Sequence, residues 1–183
     1  MANDLKNVAI GGAVVSIADW AANGGATGHV DLGILKDPPE LTPAQENYEP
    51  EFESLPGAPV AYPTKDGFEI KLALAEVTPD NIGMFLRQPT GNVTGSAPNK
   101  TGLVGDSTEQ YKSVKIVTKG GTGALGTRAT RTLTLHRCVV RKTESITFGK
   151  GKEQLLIVTL GVLYDTTVTT NDKFFKIVDS GGA

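Results

Sequence analysis

The chain has a single cysteine, Cys138, so it can form no intrachain disulfide, and a small secreted scaffold stapled by bridges is excluded. A reducing compartment fits that usage. Only two histidines are present, His29 and His136, so candidates for a general base are few. No Gly-x-Ser-x-Gly, metalloprotease histidine pair or Walker loop occurs, and the sequence predicts no enzyme and no cofactor. Aromatic residues make up 6%, too few to suggest a carbohydrate- or nucleic-acid-binding platform. Neither sign of charge dominates: 18 Lys and Arg face 20 Asp and Glu, a net charge of -2, which advertises no specific nucleic-acid site and no anionic membrane surface. A membrane span needs about 20 apolar residues, and the apolar stretch from Val8 to Ala18 is shorter, broken by Gly11-Gly12 and ended by Asp19. We read it as strand and not as a signal peptide or a span.

What the chain has in quantity is glycine and proline, 22 and 10 residues, beside a hydrophobic share of 39%. Many turns around a packed interior lean toward β structure, and a length of 183 residues predicts one domain, residues 1–183, with terminal arms. Val30, Leu32 and Ile34 alternate with His29, Asp31 and Gly33, predicting a strand with one buried face that Asp37-Pro38-Pro39 ends. Residues 36–66 carry seven of the 10 prolines and predict a long functional loop. Within it Tyr48, Pro50 and Phe52 alternate with Glu49, Glu51 and Glu53, as in an edge strand guarded by proline and charge. Phe68, Ile70, Leu72 and Leu74, opposite Glu69, Lys71, Ala73 and Ala75, form the clearest strand. Thr78-Pro79-Asp80 then supplies a helix cap, a first-turn proline and an acid at the positive helix end, with Ile82, Phe85 and Leu86 as the packing stripe. Residues 88–110 are polar and glycine-rich and predict a second long loop; SVKIVTK, RTLTLHRCVV, SITFG, EQLLIVTLGVLY and KFFKIV read as further strands.

The runs VAIGGAVVSI, VDLGILKDPPELTPAQENYEPEFES, KDGFEIKLALAEVTPDNIGMFL and TLTLHRCVVRKTESITFGKGKEQLLIVTLGVLYD, in this order, resemble the major tail tube proteins of long-tailed (siphovirus-type) bacteriophages. More remotely they resemble tube proteins of contractile tails and type VI secretion systems. The Asp31-Leu32-Gly33 turn and the strand running into a helix at Thr78 carry most of the likeness. The resemblance implies a mainly β protein, a two-sheet β-sandwich or barrel with one short flanking α-helix. It also implies homohexameric rings stacked into a tube in the virion tail, assembled in the host cytoplasm and serving DNA ejection. The implied partners are further copies of the chain, the tape measure, tail tip and terminator proteins, and double-stranded DNA passing without specific binding. A tail terminator, a decoration protein and a non-enzymatic β-sandwich binding module are the alternatives.

Physics suits that picture, because closing sheet edges through neighbouring copies removes unpaired backbone groups, and an axial contact that does not close repeats. Ring-stacking candidates are Pro38, Pro39, Glu40, Tyr48, Glu49, Glu51, Phe52 and Glu53; normal tubes from a chain lacking residues 40–60 would refute them. The face of Glu69, Lys71, Ala73 and Ala75 and the row Thr130, Thr132, Thr134 are candidates for the lumen, with the outer surface as the alternative for each. Three motifs have plainer readings. Gly121, Gly123 and Gly126 match a dinucleotide loop but precede a strand, so they predict a hairpin turn. His136 and Cys138 would share a strand face as half a zinc site, whose two further ligands would have to come from His29 or scattered carboxylates, and the prediction is no metal. Asn92-Val93-Thr94 and Asn99-Lys100-Thr101 are loop chemistry, and Trp20 is either an interface anchor or core.

Overall fold

Period-two alternation builds the central strands. In the computed structural model, which describes residues 12–44, 46–48, 62–65, 67–86, 93–96, 99–102, 110–118, 122–123, 126–127, 130–144 and 154–180, the chain is mainly β with one short α-helix. In chain order the elements begin with β1 (Ala13–Asp19), β2 (Val30–Asp31), β3 (Leu35–Pro43), β4 (Glu46–Tyr48), β5 (Tyr62–Lys65), β6 (Phe68–Leu74) and α1 (Pro79–Phe85). There follow β7 (Val93–Ser96), β8 (Asn99–Gly102), β9 (Lys112–Thr118), β10 (Thr122–Gly123), β11 (Gly126–Thr127), β12 (Thr130–Thr143), β13 (Leu156–Leu163) and β14 (Phe175–Ser180).

Eight strands form one antiparallel sheet in the order β2-β1-β9-β12-β13-β6-β3, with β14 also on β12. The 14 residues of β12 make it a double sheet. Its first half, Thr130–Leu135, lies between β9 and β14, and its second half, Arg137–Thr143, pairs with β13. Register shifts between Leu135 and Cys138 and between Val140 and Lys142 bend the strand at the crossing, as bulges do where strands switch sheets. One leaf is therefore β2-β1-β9-β12-β14 and the other β12-β13-β6-β3.

Both leaves feed one core. Val15, Ile17, Val114 and Leu135 come from the first leaf and Ile70, Leu72, Leu74, Leu156, Val158 and Leu160 from the second, each 2% exposed or less. Each such side chain contributes about 1.5–3 kcal/mol by leaving water. The helix covers one end with Phe85, which is 1% exposed. Its start follows the sequence closely: Asn81 N donates to Thr78 Oγ1 at 3.2 Å, Pro79 occupies the first turn, and Asp80 stands near the positive helix end.

Three sequence expectations differ from what forms. Only Leu32 of the Val30, Leu32, Ile34 set reaches the core, at 2% exposed, while Val30 and Ile34 are 65% and 69% exposed. Gly33, at φ +83°, turns the chain in the left-handed region, so the alternation belongs to a turn beyond a two-residue strand. Asp37-Pro38-Pro39 does not end a strand: Leu35–Pro43 pairs with β6 at the sheet edge, with register shifts that accommodate the prolines. Residues 36–66 and 88–110 thus hold strand as well, namely β3, the β4–β5 pair and the β7–β8 pair. The glycine motif forms a hairpin, Gly123 opposite Gly126, and leads into β12 and not into a helix. SITFG lies outside the described residues.

Candidate assembly surfaces

Among the described residues, β2, β3 and β14 of the eight-stranded sheet have a neighbour on one side only. An unpaired edge presents a row of free N–H and C=O groups to any passing strand. Strand β3 is protected: Pro38, Pro39 and Pro43 lack the N–H, Asp37 and Glu40 are exposed, and its register slips twice. Strand β2 is two residues long. Strand β14 has neither protection, with six residues, no proline, an unbroken register against β12 and exposure from Lys176 through Ser180. Alternate amides of such a strand point away from its partner.

Two attachments hold β14 in place. At its start Phe68 meets Phe174 and Phe175 edge to face, with ring centroids 5.4 and 5.0 Å apart, and Tyr164 packs against Phe174 in the same way at 5.4 Å. At its end the Arg131 guanidinium donates from Nε and a terminal nitrogen to the two oxygens of Asp179, both at 2.8 Å. That guanidinium holds the Asp179 carboxyl below its ordinary value.

Exposed large apolar residues gather at the ends of the first leaf. Among the described residues they are Val30, Ile34, Tyr164, Ile177 at 55% and Val178 at 46%. Val30 and Ile34 flank the turn at the β2 end, where Gly33 N donates to Asp31 Oδ1 at 2.9 Å and Ile34 N to Glu76 Oε2 at 3.3 Å. A Cβ on Gly33 would sit 1.6 Å from that Glu76 oxygen. Asn81 Nδ2 donates to Leu32 O at 3.2 Å and Glu76 O at 2.9 Å, so the helix clamps the turn and fixes the direction in which its apolar residues project.

Of the ring-stacking candidates, Pro38, Pro39 and Glu40 lie on β3 and Tyr48 on β4, whereas Glu49, Glu51, Phe52 and Glu53 fall outside the described residues. On α1 the structure buries Phe85 and leaves Ile82 and Leu86 half-buried; Asn81 and Gly83 share the buried face. Glu69 and Lys71 are exposed on the outer face of the second leaf, and Ala73 is buried. Thr132 and Thr134 lie in rows with Val117 and Lys115 of β9 and Val178 and Lys176 of β14, on the outer face of the first leaf. Between β3 and the first leaf an open groove of about 620 Å³ is lined by Ala13, Ile34, Leu41, Ile116, Arg131 and Leu133.

His136 and Cys138 do not share a face. The bulge after Leu135 returns Cys138 to the core, where burial pushes its thiol up to about 12, while His136 lies against Gly24 and its Nε2 is 3.6 Å from Asp172 Oδ2. Among the described residues no group of three His, Cys, Asp or Glu side chains could hold a metal. Trp20 is half-buried in a polar corner: its Nε1 donates to Asp165 at 2.8 Å, its ring meets Tyr111 edge to face, and the Arg137 guanidinium lies over both rings. No described helix is long and apolar enough to cross a membrane.

No family model and no curated protein matches the chain. Among solved structures it aligns with "Cryo-EM Structure of an Extracellular Contractile Injection System, PVC sheath/tube terminator in extended state" at TM-score 0.42 and 13% identity, covering 92% of this chain and 93% of that one. It aligns with "Cryo-EM structure of the anti-feeding prophage (AFP) baseplate, 6-fold symmetrised" at TM-score 0.44 and 10% identity, over 99% and 98%. A third alignment, with "Crystal structure of Hcp protein", has TM-score 0.36 and 13% identity over 92% and 98%.

Proposed function

We propose that the chain is a structural subunit of a phage-type tail tube, closing into homohexameric rings that stack into a conduit for DNA. The observation that carries this reading is a sheet that fails to close on itself and ends in β14, an edge without proline, bulge or covering element among the described residues. A monomer with such an edge invites strand pairing, and closure through identical copies is the arrangement that leaves no edge behind.

Charge agrees with a conduit. Binding of DNA strengthens with each phosphate that Lys or Arg neutralises, so a lumen should lack a dense basic stripe. The net charge of -2 is compatible with that. In this reading Pro38, Pro39, Glu40 and the residues from Tyr48 to Glu53 contact the next ring, and tape measure, tail tip and terminator proteins meet the tube at its ends. The particle tail is the place of residence, with assembly in the host cytoplasm.

Electron microscopy of concentrated purified protein tests this. Tubes of stacked rings support it; isolated rings that never stack point instead to a terminator, and a uniformly monomeric preparation, even with a tail-tip initiator, contradicts it.

A further inference from the structure

The first leaf is built to be continued, and its two ends complement each other. Four antiparallel pairings, β2 with β1, β1 with β9, β9 with β12 and β12 with β14, leave β14 running in the same direction as β2. The register aligns two rows across all five strands. The core-side row is Phe175, Leu135, Val114, Ile17 and Val30; the outer row is Lys176, Thr134, Lys115, Ser16 and Asp31. Each row therefore ends on matched groups. The core-side row has Val30, 65% exposed, at one end and Phe175 at the other, with Ile177, 55% exposed, two residues along β14 on the same face. The outer row ends on an exposed cation, Lys176, and an exposed anion, Asp31.

From this we infer that copies of the chain join by laying β14 of one subunit beside β2 of the next as a parallel seam. Lys176 then meets the neighbour's Asp31 on the outer face, and Phe175 meets the neighbour's Val30 on the core face, with Ile177 diagonal to that valine. The inference rests on the ring-forming reading above and specifies its contact. A seam between unlike edges is head-to-tail and can close a ring, whereas pairing β14 with another β14 would stop at a two-fold dimer. The apolar core row then runs on from subunit to subunit, and the outer face of the first leaf, carrying Thr132 and Thr134, becomes the wall of the joined barrel. In that geometry Glu69 and Lys71, on the other leaf, face away from that wall.

Engineered cysteines give the test, because the only natural thiol, Cys138, is buried. Within one chain the positions of Asp31 and Lys176 are four interstrand steps apart, roughly 19 Å along the sheet, too far for an internal bridge. The full-length D31C/K176C variant, oxidised under assembly conditions, is expected to give a ladder of covalent oligomers ending at the closed ring. The single variants stay uncrosslinked. A covalent dimer from K176C alone, or no ladder from D31C/K176C while rings still form, overturns the seam and leaves ring formation standing. If the wild-type chain forms no rings at all, both fail. As a second measurement, K176E and D31K should each shift assembly to at least about 10-fold higher protein concentration, with the double reversal restoring it. Unchanged assembly of both single reversals also contradicts the seam.

Discussion

Asp165 is fully buried, yet its carboxyl titrates below its ordinary value of 3.8. Burial alone would raise it, but hydrogen bonds from the Thr167 hydroxyl, Trp20 Nε1 and the Thr167 amide outweigh that, with Arg137 adding attraction. Asp165→Ala should cost about 2–3 kcal/mol at pH 7, because it strands the indole N–H and the hydroxyl in a buried corner. A lowered folded-state value means the contribution is complete above 3.8 and fades as pH falls through the lower folded value, so the gap between wild type and variant should narrow in urea unfolding near pH 3. A second prediction concerns Cys138, whose thiol burial pushes up to about 12: a thiol reagent should label it only after unfolding, and rapid labelling of native protein would contradict its core position. Composition alone made the lone cysteine visible, but the bulge that separates it from His136 is set by pairing with β9 and has no signal in the residues themselves.

The legible elements are those whose causes are local. Strand β6 alternates cleanly, and α1 is announced by Thr78-Pro79-Asp80 because capping acts within one turn. Thr78→Ala should lower stability by about 1 kcal/mol in chemical denaturation. Gly33→Ala should lose roughly 1–2 kcal/mol, because a side chain at φ +83° is strained and would displace Glu76 from the clamp. Strand β3 was illegible for the opposite reason: three prolines argue against a strand, and only its edge place in the sheet, with bulges at the prolines, makes it one. The same holds for Val30 and Ile34, whose alternation looks like a buried strand: Val30 shares the face of Ile17 but lies at the sheet edge, and the turn at Gly33 swings Ile34 outward. Their exposure and that of Ile177 and Val178 emerge only once the strand order is known, since KFFKIV reads equally well as a central strand.

For the whole molecule, the proposed assembly assigns ring closure and ring stacking to different parts of the chain, which makes them separable. Removing residues 40–60 would also cut β3 at Glu40–Pro43, so the cleaner change replaces residues 49–61 with Asn-Gly, joining β4 to β5 where Tyr48 pairs with Tyr62. That variant should still form rings by electron microscopy but no tubes; tubes of normal length would remove those residues from the stacking role. The central claim is that the sheet is completed by other copies of the chain. Amide hydrogen exchange at residues 175–180, compared between dilute subunits and assembled particles, tests it most directly. The outward amides of β14 should exchange freely in the subunit and become at least about 100-fold slower in the particle, whereas equal exchange in both states would show that the edge stays unpaired and contradict the account.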